Sequence, residues 1–417
     1  MNDQYPFLEQ HLKLTRRFFL RAGVVAASSL SLAAAAEPIA PELARAIEKL
    51  EPYFTPQAQF RDVSRGQPLP HAIPDEKKRE VGLTRETWKL EVLSDAENPA
   101  TLGKQFTKKD STALDFEGLL QIAKTKAVRF PKVMTCLNIG CPLGMGIWEG
   151  VPLRELIWLT QPKYNLRRVF YYGYHNDDPK QIFRSSLPID RVLEDLADLP
   201  PVILCYKLNG HWLDSPRGGP VRIVVPEAYG FKSVKWLTHV VLTNLFHAND
   251  TYAQGNNDVD SALKTFAATL LVPPEVKPGQ RIPITGYAQV GIGGLSKVQV
   301  WIHPAGKAWP EDDPYFTKAP WTDAEVLGAP KRWGGGLEGD TIPKETMGFD
   351  VEGGRPRTWP MRLCKIHWAV LLPAMPAGDY VLRCRAVDAR GHAQPMPRPF
   401  RKSGHCAIEE VKMAVKG

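Results

Sequence analysis

The sequence predicts an α+β fold in which a mixed domain of helices and strands is followed by a β-sandwich. Up to residue 246, short strand patterns alternate with helical patterns, which is typical of a mixed domain. Beyond residue 261, the candidate segments are strands separated by Pro and Gly, as in a sandwich of about a hundred residues. A polar stretch with turn chemistry, residues 247–261, lies between the two regions and predicts a linker.

The chain begins with the pattern of an export signal. Arg16 and Arg17 precede an apolar run over residues 22–36 that ends in three alanines. This run is shorter than the ~20 residues that span a bilayer, and small residues at its end are what signal peptidase accepts. Paired arginines are typical of twin-arginine signals. We therefore predict that residues 1–36 are a cleaved signal peptide, with an uncleaved anchor as the alternative, and that the mature protein is periplasmic and not membrane-spanning.

The overall charge favours some classes of binding partner over others. The formal net charge is +8, and residues 1–36 carry four basic and two acidic side chains, so +6 remains after cleavage. No basic run is interleaved with aromatic residues, which argues against a nucleic-acid partner. A mildly basic surface suits a small anionic or oxo substrate, although the same charge is also compatible with an ordinary solvated surface.

The first domain, residues 50–246, is built from short elements. Apolar side chains at helical spacing predict a helical lead-in over residues 37–60. Residues 87–92 alternate as a half-buried strand does, and residues 151–159 have a helical pattern. Further strands are predicted over residues 132–136, 168–172, 202–206, 221–225 and 234–242.

The second domain, residues 262–417, is predicted to be a sandwich. Its strand candidates are residues 267–272, 281–288, 297–302, 364–372 and 380–387. A passage rich in Pro, Gly and Trp, residues 310–358, interrupts them and is too long for a hairpin loop. Long loops of this kind are usually functional or mobile.

One of the six cysteines stands out by its surroundings. An even number in an oxidising compartment permits disulfides, and the sequence leaves their pairing open. The cysteine spacing lacks the histidines of a zinc site and the Cys-x-x-Cys-His of an attached haem. Cys136 ends an apolar strand and is followed by Gly140, Gly144 and Gly146, which let backbone approach a ligand. A soft thiolate there suits a high-valent metal held by sulfur ligands, and an ordinary buried or paired cysteine is the alternative.

Several ordered motifs resemble the sulfite oxidase family. They are the runs at 87–92 (TWKLEV), 148–154 (WEGVPLR), 202–210 (VILCYKLNG), 218–226 (GGPVRIVVP), 234–237 (VKWL) and 384–395 (CRAVDARGHAQP). The matches extend over residues 50–400. The resemblance implies a molybdopterin-binding domain followed by an immunoglobulin-like dimerisation domain, a molybdenum–molybdopterin cofactor and a homodimer.

The resemblance also implies the residues of the site. Cys136 occupies the position of the thiolate ligand to molybdenum, and Arg222 and Lys235 fall on positions that contact the pterin and its phosphate. Arg forks and Lys charges are well suited to hold a phosphate dianion. For Arg222 the alternative is a surface cation at a strand end. Arg65 resembles an arginine near the metal.

The chain departs from the family pattern at the substrate pocket. Asn138 either orients the pterin or bonds to local backbone as a turn residue. Arg217 stands where a pterin-binding histidine is expected, and Phe183 where a tyrosine is expected. The arginines that follow the ligand in animal and plant sulfite oxidases are missing, and Arg184 either replaces their charge or is solvated.

Three functional hypotheses follow from these expectations. The first is a sulfite or related sulfur-compound dehydrogenase that transfers an oxygen atom at molybdenum. The chain has no haem or iron–sulfur motif, so electrons would pass to an external partner such as a c-type cytochrome. The second is a molybdenum-dependent reductase of sulfoxides or similar oxides. The third is a cofactor-free exported binding or scaffold protein that keeps only the fold.

Overall fold

The computed structural model describes residues 39–260, 262–351, 354–404 and 406–417, so the predicted signal peptide lies outside the described residues. Residues 45–417 belong to one compact unit. Both predicted domains fall within it, and their boundaries remain predictions. In the described part of the chain, no helix is both long and apolar enough to cross a membrane.

The helices are short and connect strands. In the described residues they are α1 (Pro41–Ile47), α2 (Asp75–Glu80), α3 (Phe116–Lys126), α4 (Leu153–Leu159) and α5 (Ile189–Leu193). Helix α3 begins after Asp115, whose carboxylate accepts a hydrogen bond from the Gly118 amide at 2.8 Å, because the first amides of a helix lack partners within it. The predicted helical lead-in is therefore confined to one short helix, which ends at Ile47.

Two sheets form the first part of the chain. One has the order β2-β1-β10-β5-β6, in which β1 (Lys89–Ser94) and β10 (Leu237–Thr243) pair in parallel. Its other strands are β2 (Leu114–Asp115), β5 (Arg168–Gly173) and β6 (Arg184–Pro188). The other sheet has the order β3-β4-β7-β8, with β9 paired to β7. Its strands are β3 (Val128–Thr135), β4 (Pro142–Pro152), β7 (Ile203–Leu208), β8 (His211–Trp212) and β9 (Arg222–Val224).

A third sheet contains the described strands that follow the predicted linker. Its order is β11-β13-β16-β15-β14-β17-β18-β12. The strands are β11 (Phe266–Leu271), β12 (Glu275–Val276), β13 (Ile282–Gln289), β14 (Lys297–Pro304), β15 (Thr322–Val326), β16 (Lys365–Leu372), β17 (Gly378–Val387) and β18 (Glu409–Val415). Strand β11 lies against β17 and β18, so the sheet curls until its two halves face each other. This arrangement confirms the predicted α+β class with a β-sandwich after the mixed region. The immunoglobulin-like character of the sandwich stays a prediction.

The structure corrects three predicted segments. Residues 151–152 belong to β4, and the helix of that segment begins only at Leu153. Strand β10 begins at Leu237 because Trp236 has φ of 52°, which is incompatible with an extended strand. The passage at 310–358 contains β15, which pairs with both β14 and β16 and so joins the two halves of the sandwich.

Candidate active site

All six predicted site residues line one cavity. It has a volume of about 330 Å³, within the size range of small-molecule sites. Its walls come from residues 60–65, from the end of β3 and the turn after it, and from residues 230–236. The predicted residues that line it are Arg65, Cys136, Asn138, Arg217, Arg222 and Lys235.

Cys136 lies at the end of a firmly held strand. The last six residues of β3 are buried, and the hydroxyl of Thr135 is hydrogen bonded to the Gln289 side chain. The Gly140 amide donates to the Cys136 carbonyl at 3.2 Å and closes the following turn. The cysteine is partly exposed and lines the cavity. A thiol anchored in this way is suited to hold a ligand in a fixed direction.

The other cysteines differ from Cys136 in position. All six are free thiols. Cys141 is also partly exposed, and it accepts a hydrogen bond from Arg61 Nη1 at 3.3 Å without lining the cavity. Burial raises the pKa of the Cys205 and Cys364 thiols to about 12, and burial also raises the pKa of Cys384 and Cys406. The four buried thiols are therefore protonated and unreactive at neutral pH.

Two buried arginines form the cationic side of the cavity. Arg217 and Arg222 are only 6% and 4% exposed. Arg222 donates to the Arg217 carbonyl at 2.7 Å and to the Ser233 carbonyl, so it braces two cavity segments. Arg217 Nη1 donates to the Phe60 carbonyl at 3.0 Å, whereas its Nε is buried and lacks a partner among the described residues. Burial lowers the pKa of Arg222 to about 10, because the charged guanidinium has lost its contact with water. A bound anion would stabilise this buried charge.

Lys235 is the third cation of the cavity. Its Nζ donates to Asp62 at 3.0 Å, to the Ser64 hydroxyl at 2.7 Å and to the Pro216 carbonyl at 2.6 Å. Burial, together with the positive charge of Arg222, lowers its pKa to about 7 despite the Asp62 carboxylate. Burial opposes ionisation of Asp62, but hydrogen bonds from Ser64 and Lys235 outweigh it and hold its pKa at about 2.

These residues fit a phosphate-bearing cofactor. Six basic residues line the cavity, among them Arg217, Arg222 and Lys235, and the Asp62 carboxylate is paired with Lys235. The unpartnered Nε of Arg217 adds a hydrogen-bond donor that a bound anion could satisfy. Arg222 is a buried cation and not a surface cation at a strand end. Its three guanidinium nitrogens donate to backbone carbonyls, so it acts on a ligand mainly through charge.

The mouth of the cavity combines aromatic rings with two predicted residues. The exposed guanidinium of Arg65 lies 4.8 Å from the centroid of the Phe183 ring. Asn138 donates from Nδ2 to the Tyr252 hydroxyl at 3.1 Å. Arg184 lies elsewhere: it donates to the Asn249 carbonyl at 2.7 Å and is not among the residues that line the cavity. Arg65 therefore contributes positive charge at the mouth, whereas Arg184 does not.

The lining residues that were not predicted from the sequence include His175, Phe231, Tyr252 and Lys402. His175 is 5% exposed, its Nδ1 lies 3.0 Å from the Gly173 carbonyl, and burial lowers its pKa, so the ring is neutral at pH 7. Tyr252 lies in the predicted linker and Lys402 near the end of the chain. Neither segment carries a motif that would have identified it.

Comparison with known proteins relates this site to a family. Residues 77–250 match the model of the oxidoreductase molybdopterin binding domain. The chain is 25% identical to chicken sulfite oxidase, covering 71% of this chain and 60% of that enzyme. It is 27% identical to the catalytic subunit of the protein-methionine-sulfoxide reductase MsrP of Burkholderia mallei, and this match covers 52% of this chain and 64% of that subunit. It is 24% identical to the NADPH nitrate reductase of Fusarium oxysporum, and this match covers 74% of this chain and 35% of that enzyme.

The chain spans less than two thirds of the length of each of these three relatives. A solved structure, the sulfane dehydrogenase SoxCD of Paracoccus pantotrophus, has the same fold. The match covers 93% of this chain and 95% of that one, with a TM-score of 0.57 and 17% identity. The domain match and these relatives confirm the predicted molybdenum–molybdopterin cofactor and the oxidoreductase class. Residues 77–250 therefore form a molybdopterin-binding oxidoreductase domain, and the relatives support the predicted resemblance to the sulfite oxidase family.

Proposed function

We propose that the protein is an exported molybdenum-cofactor oxidoreductase that oxidises sulfite or a related sulfur compound by oxygen-atom transfer. One observation carries the proposal. The thiol of Cys136, at the end of a buried strand, opens into the same cavity as the buried Arg217 and Arg222 and the partly buried Lys235. A metal ligand and a binding site for the cofactor's phosphate thus share one cavity.

Each residue of the cavity has a part in this function. Cys136 would ligate molybdenum, and Lys235 and Arg217 would hold the phosphate and pterin, with Arg222 contributing its buried charge. When bound, the cofactor supplies two-electron exchange of an oxygen atom with the substrate. Arg65 at the mouth attracts an anionic substrate, and the ring of Phe183 beneath it limits access of water.

The electrons must leave the site through another molecule. An external acceptor such as a c-type cytochrome is proposed, since the sequence carries no haem or iron–sulfur motif. Export by the twin-arginine pathway to the periplasm follows from Arg16 and Arg17 and the apolar run after them. Residues 262–417 are proposed to form a homodimer interface. A monomeric mass in light scattering would contradict that part of the proposal.

A reductase of sulfoxides or similar oxides is the second candidate. The observation that favours it is the apolar lining of the cavity near Cys136, which includes Val63, Leu137 and Ile139. Such a lining suits an organic sulfur oxide better than a small hydrated dianion. MsrP, whose name describes a protein-methionine-sulfoxide reductase, is one of the relatives. A cofactor-free scaffold protein is disfavoured, because the buried Arg217 and Arg222, with Lys235 beside them, destabilise a cavity that binds no anion.

The experiment compares substrates on protein matured in a host that makes molybdopterin. Oxidation of sulfite is followed with ferricyanide, and reduction of methionine sulfoxide with reduced benzyl viologen. We expect molybdenum at about one atom per chain and turnover in the sulfite assay. Turnover only with methionine sulfoxide would favour the reductase, and absence of molybdenum would contradict both oxidoreductase candidates.

A further inference from the structure

Tyr252 brings a phenol hydroxyl to the cavity from a segment beyond the matched molybdopterin-binding region. The match ends at residue 250, and Tyr252 follows in the turn after it. Its ring stacks on Phe231 with centroids 4.6 Å apart and meets the edge of Phe183 at 5.3 Å. All three rings line the cavity. Aromatic rings therefore flank Tyr252 where it lines the cavity.

A buried ion pair fixes the position of this tyrosine. Asp250 is 1% exposed and lies 3.7 Å from the Lys232 ammonium. Its other oxygen accepts hydrogen bonds from the Tyr252 amide at 3.2 Å and the Ala253 amide at 3.0 Å. Lys232 directly follows Phe231, so the same ion pair also holds the ring on which Tyr252 stacks. The Lys232–Asp250 ion pair therefore holds both Tyr252 and Phe231 in place.

The hydrogen bonding of Tyr252 leaves its proton available. Asn138 donates to the phenol oxygen at 3.1 Å, so the oxygen already acts as an acceptor. Among the described residues, no hydrogen bond donated by the Tyr252 hydroxyl is observed. A phenol hydroxyl can accept one hydrogen bond and donate another at the same time. The proton can therefore be given to a ligand in the cavity.

We propose that Tyr252 is a specificity-determining residue whose hydroxyl donates a hydrogen bond to an oxygen atom of the bound substrate. Asn138 and the Lys232–Asp250 pair position it. The substrate class is accordingly a sulfur compound that presents an oxygen acceptor in the cavity next to Cys136. This inference rests on the proposed function, since it requires that the cavity binds the substrate of a molybdenum centre.

The test uses Tyr252→Phe in the cofactor-loaded protein, with Tyr172→Phe as the matched control. Tyr172 is a half-buried tyrosine of β5 that does not line the cavity. Kinetics are measured with whichever of sulfite and methionine sulfoxide the wild type turns over. We expect kcat/KM of Tyr252→Phe to fall about 10- to 100-fold, mainly through KM, with molybdenum content unchanged. The control should keep wild-type values.

The outcomes separate the two proposals. If wild-type protein holds no molybdenum or turns over neither compound, the proposed function fails and this inference fails with it. If the wild type is active and Tyr252→Phe has unchanged KM and kcat, only the role of Tyr252 is overturned. A loss of molybdenum in Tyr252→Phe would also overturn it, because the residue would then serve the cofactor. A second variant, Asp250→Asn, should raise KM in the same direction by loosening the tyrosine.

Discussion

Lys235 offers a quantitative test of the cofactor site. The perturbation is Lys235→Met, which keeps an unbranched chain of similar length and removes the charge. In the structure its ammonium makes three hydrogen bonds in a cavity where burial lowers its pKa to about 7. A charge-assisted hydrogen bond to a phosphate contributes roughly 1.5 to 3 kcal/mol, so we expect cofactor affinity to fall about 10- to 100-fold.

The same lysine gives the binding a pH dependence. A bound phosphate raises the pKa of Lys235 above the value of about 7 in the empty site. The bound state therefore holds a proton that the empty site loses as pH rises through 7. Affinity should be constant below pH 7 and then fall by up to roughly tenfold per pH unit above it, until the pKa of the bound state is reached. Lys235→Met should lack this slope.

The assay is molybdenum and pterin content per chain after dilution and gel filtration between pH 6 and pH 9. Lys264→Met is the matched control, since Lys264 is 3% exposed and does not line the cavity. The control should keep the wild-type content if it folds. Unchanged content in Lys235→Met, or equal loss in both variants, would refute the assignment of Lys235 to the phosphate.

Three further predictions follow from burial and position. In folded, cofactor-free protein at pH 8, a thiol reagent such as Ellman's reagent should react quickly with two thiols, Cys136 and Cys141, because the other four are buried with raised pKa values; four or more fast thiols would contradict this. Trp368→Ala should lower the free energy of unfolding by about 3 to 5 kcal/mol in urea titrations, since the ring is fully buried and donates to the Tyr287 carbonyl at 3.0 Å. The control is Trp158→Ala, at a side chain that is 55% exposed, and it should change the free energy of unfolding by less than about 0.5 kcal/mol. Cys136→Ser should abolish turnover while pterin stays bound, and Cys141→Ser should remain active; loss of folding in Cys136→Ser would mean that the cysteine is structural.

The strand that presents Cys136 could be predicted from the sequence, because an apolar run followed by glycines is a local pattern. The same holds for most strands of the sandwich, where Pro and Gly bound each run. Strand β4 was harder to recognise, since glycines interrupt its pattern. The sheet requires at least one of them: a Cβ on Gly150 would lie 2.3 Å from the Leu204 carbonyl oxygen. Close approach of two strands is a tertiary property that a single segment does not reveal.

The geometry of the site depends on contacts between residues that are distant in the chain. Lys235 is held by Asp62, which is 173 positions away in the chain. Tyr252 lies in a stretch whose polar composition is typical of a linker, and its position depends on the ion pair between Asp250 and Lys232. Strand β15 is short and has one buried residue, Ala324, so its pattern is too weak to predict a strand.

The direct test of the site is X-ray absorption at the molybdenum edge, on wild-type protein and Cys136→Ser with matched molybdenum content. If Cys136 is the protein's ligand, the wild-type spectrum contains one more sulfur neighbour than the variant, with an oxygen in its place. Identical sulfur shells in the two proteins would mean that the thiol does not bind the metal, and the assignment of this cavity as the molybdenum site would be wrong.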